Sequence, residues 1–156
     1  MRILALLVIM FLCVGFTTPK KYEVYMEAYL EEARSIESRM GIPVSIQFAQ
    51  AIFESQCGAS NIALRSNNHF GIRCGDNWGG MGYESASGCW RKYSSVQDSY
   101  EDHGCYLSDA YGLAVGRDWK HWVRWCRGYG GKDYWKRIGR VIEAYELWRY
   151  DNVIYY

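Results

Sequence analysis

The chain reads as one α+β domain, mainly α, with a single small β-hairpin lobe. Three features point there. Hydrophobic residues make up 49% of the 156 residues, charged residues 22%, and prolines number 2, which suits one packed core and excludes a disordered chain. Over most of the length, apolar side chains recur at helical spacing. The middle interrupts that repeat with Gly75, Gly79, Gly80 and Gly82 between Cys74 and Cys89, a composition that stops a helix and suits a hairpin.

In chain order, Thr18-Pro19 sets a capping hydroxyl before a first-turn proline and predicts a helix start. Tyr22, Tyr25, Met26, Tyr29, Leu30, Ala33 and Ile36 form an apolar stripe with Glu and Arg opposite, so the spacing predicts a helix over 22–40 that Gly41 ends. Pro43 opens a second helix in which Ile46, Ala49, Gln50 and Phe53 are expected to share a face. A short third helix is expected over 60–65, and strands over 81–84 and 89–93. Helices resume over 95–111, 118–127 and 133–148. Trp119, Trp122 and Trp125 recur along the second of these and read mostly as core. The short connections show no linker, repeat or second domain.

The first residues read differently. Arg2 precedes the uncharged apolar run 3–16, which is shorter than the roughly 20 helical residues needed to cross a membrane and has the form of a secretory signal. Cys13-Val14-Gly15 supplies small residues for cleavage after Gly15, so 1–15 is expected to be removed. Lipid attachment through Cys13 is the lesser alternative, because Phe11 and Leu12 stand where a small residue belongs. The expected product is exported, periplasmic or extracellular, monomeric, and without stable membrane insertion. Loss of Arg2 takes the net charge from +1 to 0, so no basic field draws the chain to nucleic acid.

Export leaves Cys57, Cys74, Cys89, Cys105 and Cys126 where disulfides persist. No paired C-x-x-C spacing suggests a metal, and no cofactor fingerprint is visible. Cys74 with Cys89, flanking the glycine-rich segment, is the preferred bridge. Cys105 with Cys126 is a weaker pairing, which leaves Cys57 over. Seven Trp and fourteen Tyr exceed what such a core needs, so some rings are expected on a surface that binds a flat ligand.

Glu54 follows an apolar run at the expected C-terminal end of the second helix. The negative end of the helix dipole and apolar surroundings both disfavour its ionisation, as a proton-donating acid requires. A Glu closing a helix is also commonly a solvated surface residue, so position alone does not decide.

Four motifs occur in order: Ala49-Gln50-x-x-x-Glu54-Ser55-x-x-Gly58-x-Ser60, Asn67-Asn68-His69-Phe70-Gly71-Ile72-Arg73-Cys74, Cys89-Trp90-Arg91-Lys92-Tyr93 and Ser99-Tyr100-x-Asp102-His103. Together they resemble the glucosaminidase domain of glycoside hydrolase family 73, which includes bacterial autolysins and flagellar-rod peptidoglycan hydrolases. The similarity runs over 22–150 and makes 20–156 one glucosaminidase-like domain. It implies a lysozyme-like fold, glycan strands of peptidoglycan as partner, no cofactor, and cleavage of the β-1,4 bond on the reducing side of N-acetylglucosamine. Glu54 takes the place of the family's general acid.

A second group must stabilise the oxocarbenium-like transition state. Glu84 in the β lobe is the leading candidate and Asp76 the runner-up, although the loop here is shorter and less acidic than in many relatives. The substrate's own N-acetyl group is the alternative nucleophile. Gly128-Tyr129-Gly130-Gly131 stands where the family has Gly-Tyr-Ala-Thr, so Tyr129 is expected to hold the acetamido group or a water. Cys57 replaces a usual aromatic. Trp78, Tyr83 and Trp90 are expected to stack on sugar rings, while Asn67, Asn68 and His69 support a turn and Phe70 and Ile72 enter the core. Two other functions compete: a non-catalytic glycan-binding module, and a cysteine-dependent wall amidase or peptidase pairing a thiolate with His103 or His121.

Overall fold

The computed structural model describes residues 20–125 and 131–152. Its elements are α1 (Lys21–Met40), α2 (Val44–Ser55), α3 (Asn61–Ser66), β1 (Gly82–Ser85), β2 (Gly88–Arg91), α4 (Val96–Tyr111), α5 (Trp119–Trp125) and α6 (Tyr134–Ala144). Short 3-10 helices follow α4 at Gly112–Ala114 and α6 at Leu147–Tyr150. The helical body with one antiparallel hairpin matches the expected architecture. Thr18-Pro19 lies outside the described residues, and α1 starts at Lys21, where Glu23 accepts from the Lys20 amide at 3.0 Å.

At the centre is α2. Val44 to Ala51 are buried without interruption, so this helix has no solvent face until its last turn. That corrects the expectation of a single buried face including Phe53, which is exposed. Around α2 pack α1, α5, α6 and the final 3-10 turn, and α4 lies against α1. Trp119 and Trp122 are buried as expected; the Trp125 side chain lies outside the described set. The sixth helix ends at Ala144, short of 148. A left-handed residue at Glu146 (φ 51°) turns the chain, and Leu147 then enters the core.

A helix buried this way must satisfy its first amides inside the protein. No local side chain caps α2, whose N-cap is Pro43. Instead Glu37 of α1 accepts from the amides of Val44 (3.3 Å) and Asn152 (3.0 Å). Asp151 accepts from the amide and hydroxyl of Ser45, each at 2.7 Å. Two carboxylates from distant parts of the chain thus complete one helix end.

The hairpin joins the body through a few polar contacts. The Asn68 amide donates to the carbonyls of Ile72 (2.8 Å) and Arg91 (2.9 Å), and its oxygen accepts from Ile72 N–H. Asp102 of α4 accepts from Arg91 Nη1 at 2.8 Å and from the Tyr93 hydroxyl at 2.6 Å. The Cys74–Cys89 disulfide is formed. Cys105 is a free, exposed thiol, contrary to the expected pairing with Cys126, which lies outside the described residues.

Burial pushes Asp151 up to about 7, outweighing the Ser45 hydrogen bonds that pull it down; Glu37 and Asp118 nearby push the same way. A carboxyl that holds its proton more tightly when folded contributes stability that is complete below the ordinary value of 3.8 and is lost as pH rises through about 7. Asp151→Asn should therefore flatten the fall in melting temperature across that window, measured by calorimetry at a series of pH values. An unchanged slope would show that Asp151 does not titrate there.

Candidate active site

Glu54 occupies the last turn of α2, where the buried helix reaches the surface. Its carboxyl is half-buried, and burial raises its pKa above the usual carboxylate range. A hydrogen bond from the Tyr134 hydroxyl and the charge of Arg137 pull the other way without cancelling the rise. Tyr134 and Arg137 are one turn apart at the start of α6. The Tyr134 oxygen also accepts from Gln50 Nε2 at 3.1 Å, and the Arg137 guanidinium lies 5.4 Å over the Phe53 ring. Gln50 and Phe53 both belong to α2, so α6 is registered against the acid by two of its neighbours.

Gly71 forms the other wall. Its φ is +62°, and a Cβ there would lie 3.3 Å from Glu54 Oε2 and 3.7 Å from Trp90 Cζ3. Glycine meets both demands, the left-handed backbone and the close approach. Glu54, Gly71 and the edge of the Trp90 indole therefore meet at one point. The Arg73 guanidinium covers one part of that indole at 3.7 Å, and Trp90 Nε1 donates to the Ser85 hydroxyl at 2.9 Å.

The hairpin register sorts the expected β-lobe residues onto two faces. Tyr83 pairs with Trp90, and Glu84 pairs with Cys89. Side chains alternate along a strand, so Tyr83, Ser85 and Trp90 share the face that meets Glu54, and Glu84 stands on the other with Cys89 and Arg91. Trp78 belongs to that second face. It lies 4.5 Å from the Arg91 guanidinium, meets Tyr93 edge-on, and donates to the Met81 carbonyl at 2.9 Å. Asp76 is exposed in the preceding loop. The structure thus brings Glu54 and Trp90 together, with Tyr83 as the cross-strand neighbour of Trp90, and it leaves Glu84 and Trp78 on the opposite side of the hairpin. Tyr129 lies outside the described residues.

Asn67 and Asn68 do support the turn, through Tyr93, Ile72 and Arg91 carbonyls. His69 accepts from or donates to the Tyr25 hydroxyl at 2.7 Å inside the body, and burial pushes it down to about 4. His103 is fully buried, stacked on Phe70 at 3.7 Å, and pushed down to about 3. Burial raises the thiols of Cys57 and Cys105, the reverse of an activated thiolate. Among the described residues the cysteine-dependent reading finds no activated thiol, and it loses His103 to the core; Cys126 lies outside them.

The family model for glucosaminidase, described as mannosyl-glycoprotein endo-beta-N-acetylglucosaminidase, matches residues 30–147. The chain belongs to the glucosaminidase family. Within the family, the exo-glucosaminidase LytG of Bacillus subtilis (strain 168) is 25% identical over 165 residues, covering 84% of this chain and 54% of LytG. The chain thus spans about half the length of that curated relative. The catalytic domain of the autolysin Auto from Listeria monocytogenes has the same fold, with a TM-score of 0.72 and 23% identity over 88% of this chain and 92% of that one. A peptidoglycan hydrolase from Sphingomonas sp. A1 gives 0.65 and 22% over 81% and 91%.

Sequence reasoning missed Tyr134 and Arg137, because nothing local in α6 announces a partner on α2. Gly71 was more accessible: a glycine between two core residues, Phe70 and Ile72, signals a special backbone or a close approach.

Two outcomes follow. Gly71→Ala and Gly75→Ala both impose an L residue at positive φ, a cost of roughly 1–2 kcal/mol, but the Cβ at Gly75 meets open space. Gly71→Ala should be the more destabilising in urea titrations and should displace the Glu54 titration; equal behaviour would remove Gly71 from the site. Tyr134→Phe and Arg137→Gln each delete an influence that favours ionised Glu54, so both should raise its pKa as read by carboxyl carbon NMR. A fall in either variant would contradict the arrangement.

Proposed function

We propose that this chain is an exported peptidoglycan hydrolase, an endo-β-N-acetylglucosaminidase that cleaves the β-1,4 bond on the reducing side of N-acetylglucosamine with Glu54 as general acid. The observation that carries the reading is the setting of Glu54: a half-buried carboxyl with a raised pKa, held by Tyr134 at the mouth of a family fold and facing Trp90 across Gly71. Family membership supports the glycan substrate. Export is supported by Arg2 and the apolar run after it. No helix among the described residues is long and apolar enough to cross a membrane.

In this reading protonated Glu54 donates to the glycosidic oxygen as the bond to C1 breaks. Tyr134 and Arg137 then stabilise the carboxylate left behind, while Trp90 and Tyr83 offer apolar ring surface to the sugar. For the second role we favour the substrate's acetamido oxygen over Glu84 and Asp76. Strand alternation turns Glu84 away from the Trp90 face, and Asp76 is exposed in the loop before it. Tyr129 is assigned to hold that acetamido group.

Glu54→Gln should abolish release of reducing ends from purified peptidoglycan, a loss of roughly 10²–10⁴-fold, while leaving the melting temperature unchanged or slightly raised. Product mass spectrometry should show N-acetylglucosamine at the new reducing end, in fragments of mixed length for endo action. Glycan binding by the wild type without any such release would favour the non-catalytic module instead.

A further inference from the structure

The α6 side of the site carries more positive charge than the described residues beside it neutralise. Lys132, Asp133, Lys136, Arg137 and Arg140 line one open groove of about 410 Å³, and all five are exposed. Four cations stand there against one anion, in a chain whose net charge is +1. Asp133 is engaged by Lys136 at 3.0 Å. Lys132 and Arg140 form no ion pair with a described residue. Lys136 and Arg140 are four apart, and Arg137 and Arg140 three apart, so like charges stack on one helix face at a cost in stability. An anion brought to that face would reverse the cost.

The groove and the site share Arg137. Arg137 is its inner member: its guanidinium lies over Phe53, and its charge acts on the Glu54 carboxyl. A ligand whose reacting bond is at Glu54 therefore presents its adjacent substituents to this row of cations. A chain of N-acetylhexosamines is neutral. In peptidoglycan the negative charge lies on the muramyl lactyl group or, once a peptide is attached there as an amide, on the carboxylates of that peptide.

We propose that the groove of Lys132, Lys136, Arg137 and Arg140 binds the carboxylates of the peptide stem, so that the enzyme selects peptide-bearing strands over bare glycan. This rests on the hydrolase reading and extends it to substrate choice. The stem is the better match than the lactyl carboxylate because the cations extend outward along α6 from Arg137 to Arg140, and one carboxylate at the ring would meet only the inner one.

The test uses two soluble substrates of equal glycan length: uncross-linked strands with their peptides, and the same strands stripped by an amidase. Wild-type kcat/KM should be about tenfold higher on the peptide-bearing strands, the gain from one charge-assisted contact. The double variant Lys132→Glu/Arg140→Glu should bring that ratio to about one. Equal rates on the two substrates, faster cleavage of stripped strands, or an unchanged ratio in the variant would each overturn the proposal. Calorimetric binding of both strands to Glu54→Gln protein separates the two claims. A preference there, with no hydrolysis by the wild type, refutes the hydrolase reading and keeps the groove; hydrolysis without any preference does the reverse.

Discussion

The fold depends on burying α2 from all sides. A helix without a solvent face places severe demands on its two ends, since that is where unpaired backbone groups collect. At the N-terminus the demand is met by Glu37 and Asp151, which come from α1 and from the segment after the final 3-10 turn. At the C-terminus the helix emerges, and the first carboxyl in partial contact with solvent is Glu54. The apolar content that anchors the helix is the same property that desolvates the acid at its end.

Acidic groups at both ends of this helix share one electrostatic tendency. Asp151 and Glu54 are each pushed upward by burial more than their hydrogen bonds pull them down. Both therefore keep their protons to higher pH than a surface carboxyl does. For Asp151 this links the closure of the chain to pH; for Glu54 it favours the protonated form that the proposed role requires. One physical cause, desolvation against a buried helix, acts on structure at one end and on chemistry at the other.

The hairpin gives the site its second wall by dividing labour between its faces. Arg91 and Trp78 fill one face, and Asp102 of α4 fastens it to the body through Arg91 and Tyr93. The opposite face keeps Tyr83 and Trp90 for the region of Glu54. A two-stranded hairpin is marginal alone, so the anchoring face is a condition for the exposed one to hold its place. The Cys74–Cys89 bridge ties its second strand to the segment before the hairpin and restricts the chain further.

Much of this protein was legible in its residues. Helical spacing located the six helices, glycines between cysteines located the hairpin and its disulfide, and the motif around Glu54 singled out the carboxyl proposed as the acid. These are properties of neighbours in the chain, where turn chemistry and periodicity act. Strand parity set Glu84 apart from Trp90, yet only the register of Gly82–Ser85 against Gly88–Arg91 made that parity known. Tyr134 and Arg137 beside Glu54, and Asp151 on the first turn of α2, are contacts across about eighty to a hundred residues. Local sequence holds no trace of them, because such pairs are chosen by how helices pack. Sequence by itself determined which carboxyl closes the central helix and is proposed as the acid. Tertiary packing decided its environment, its partners and the charged groove beside it.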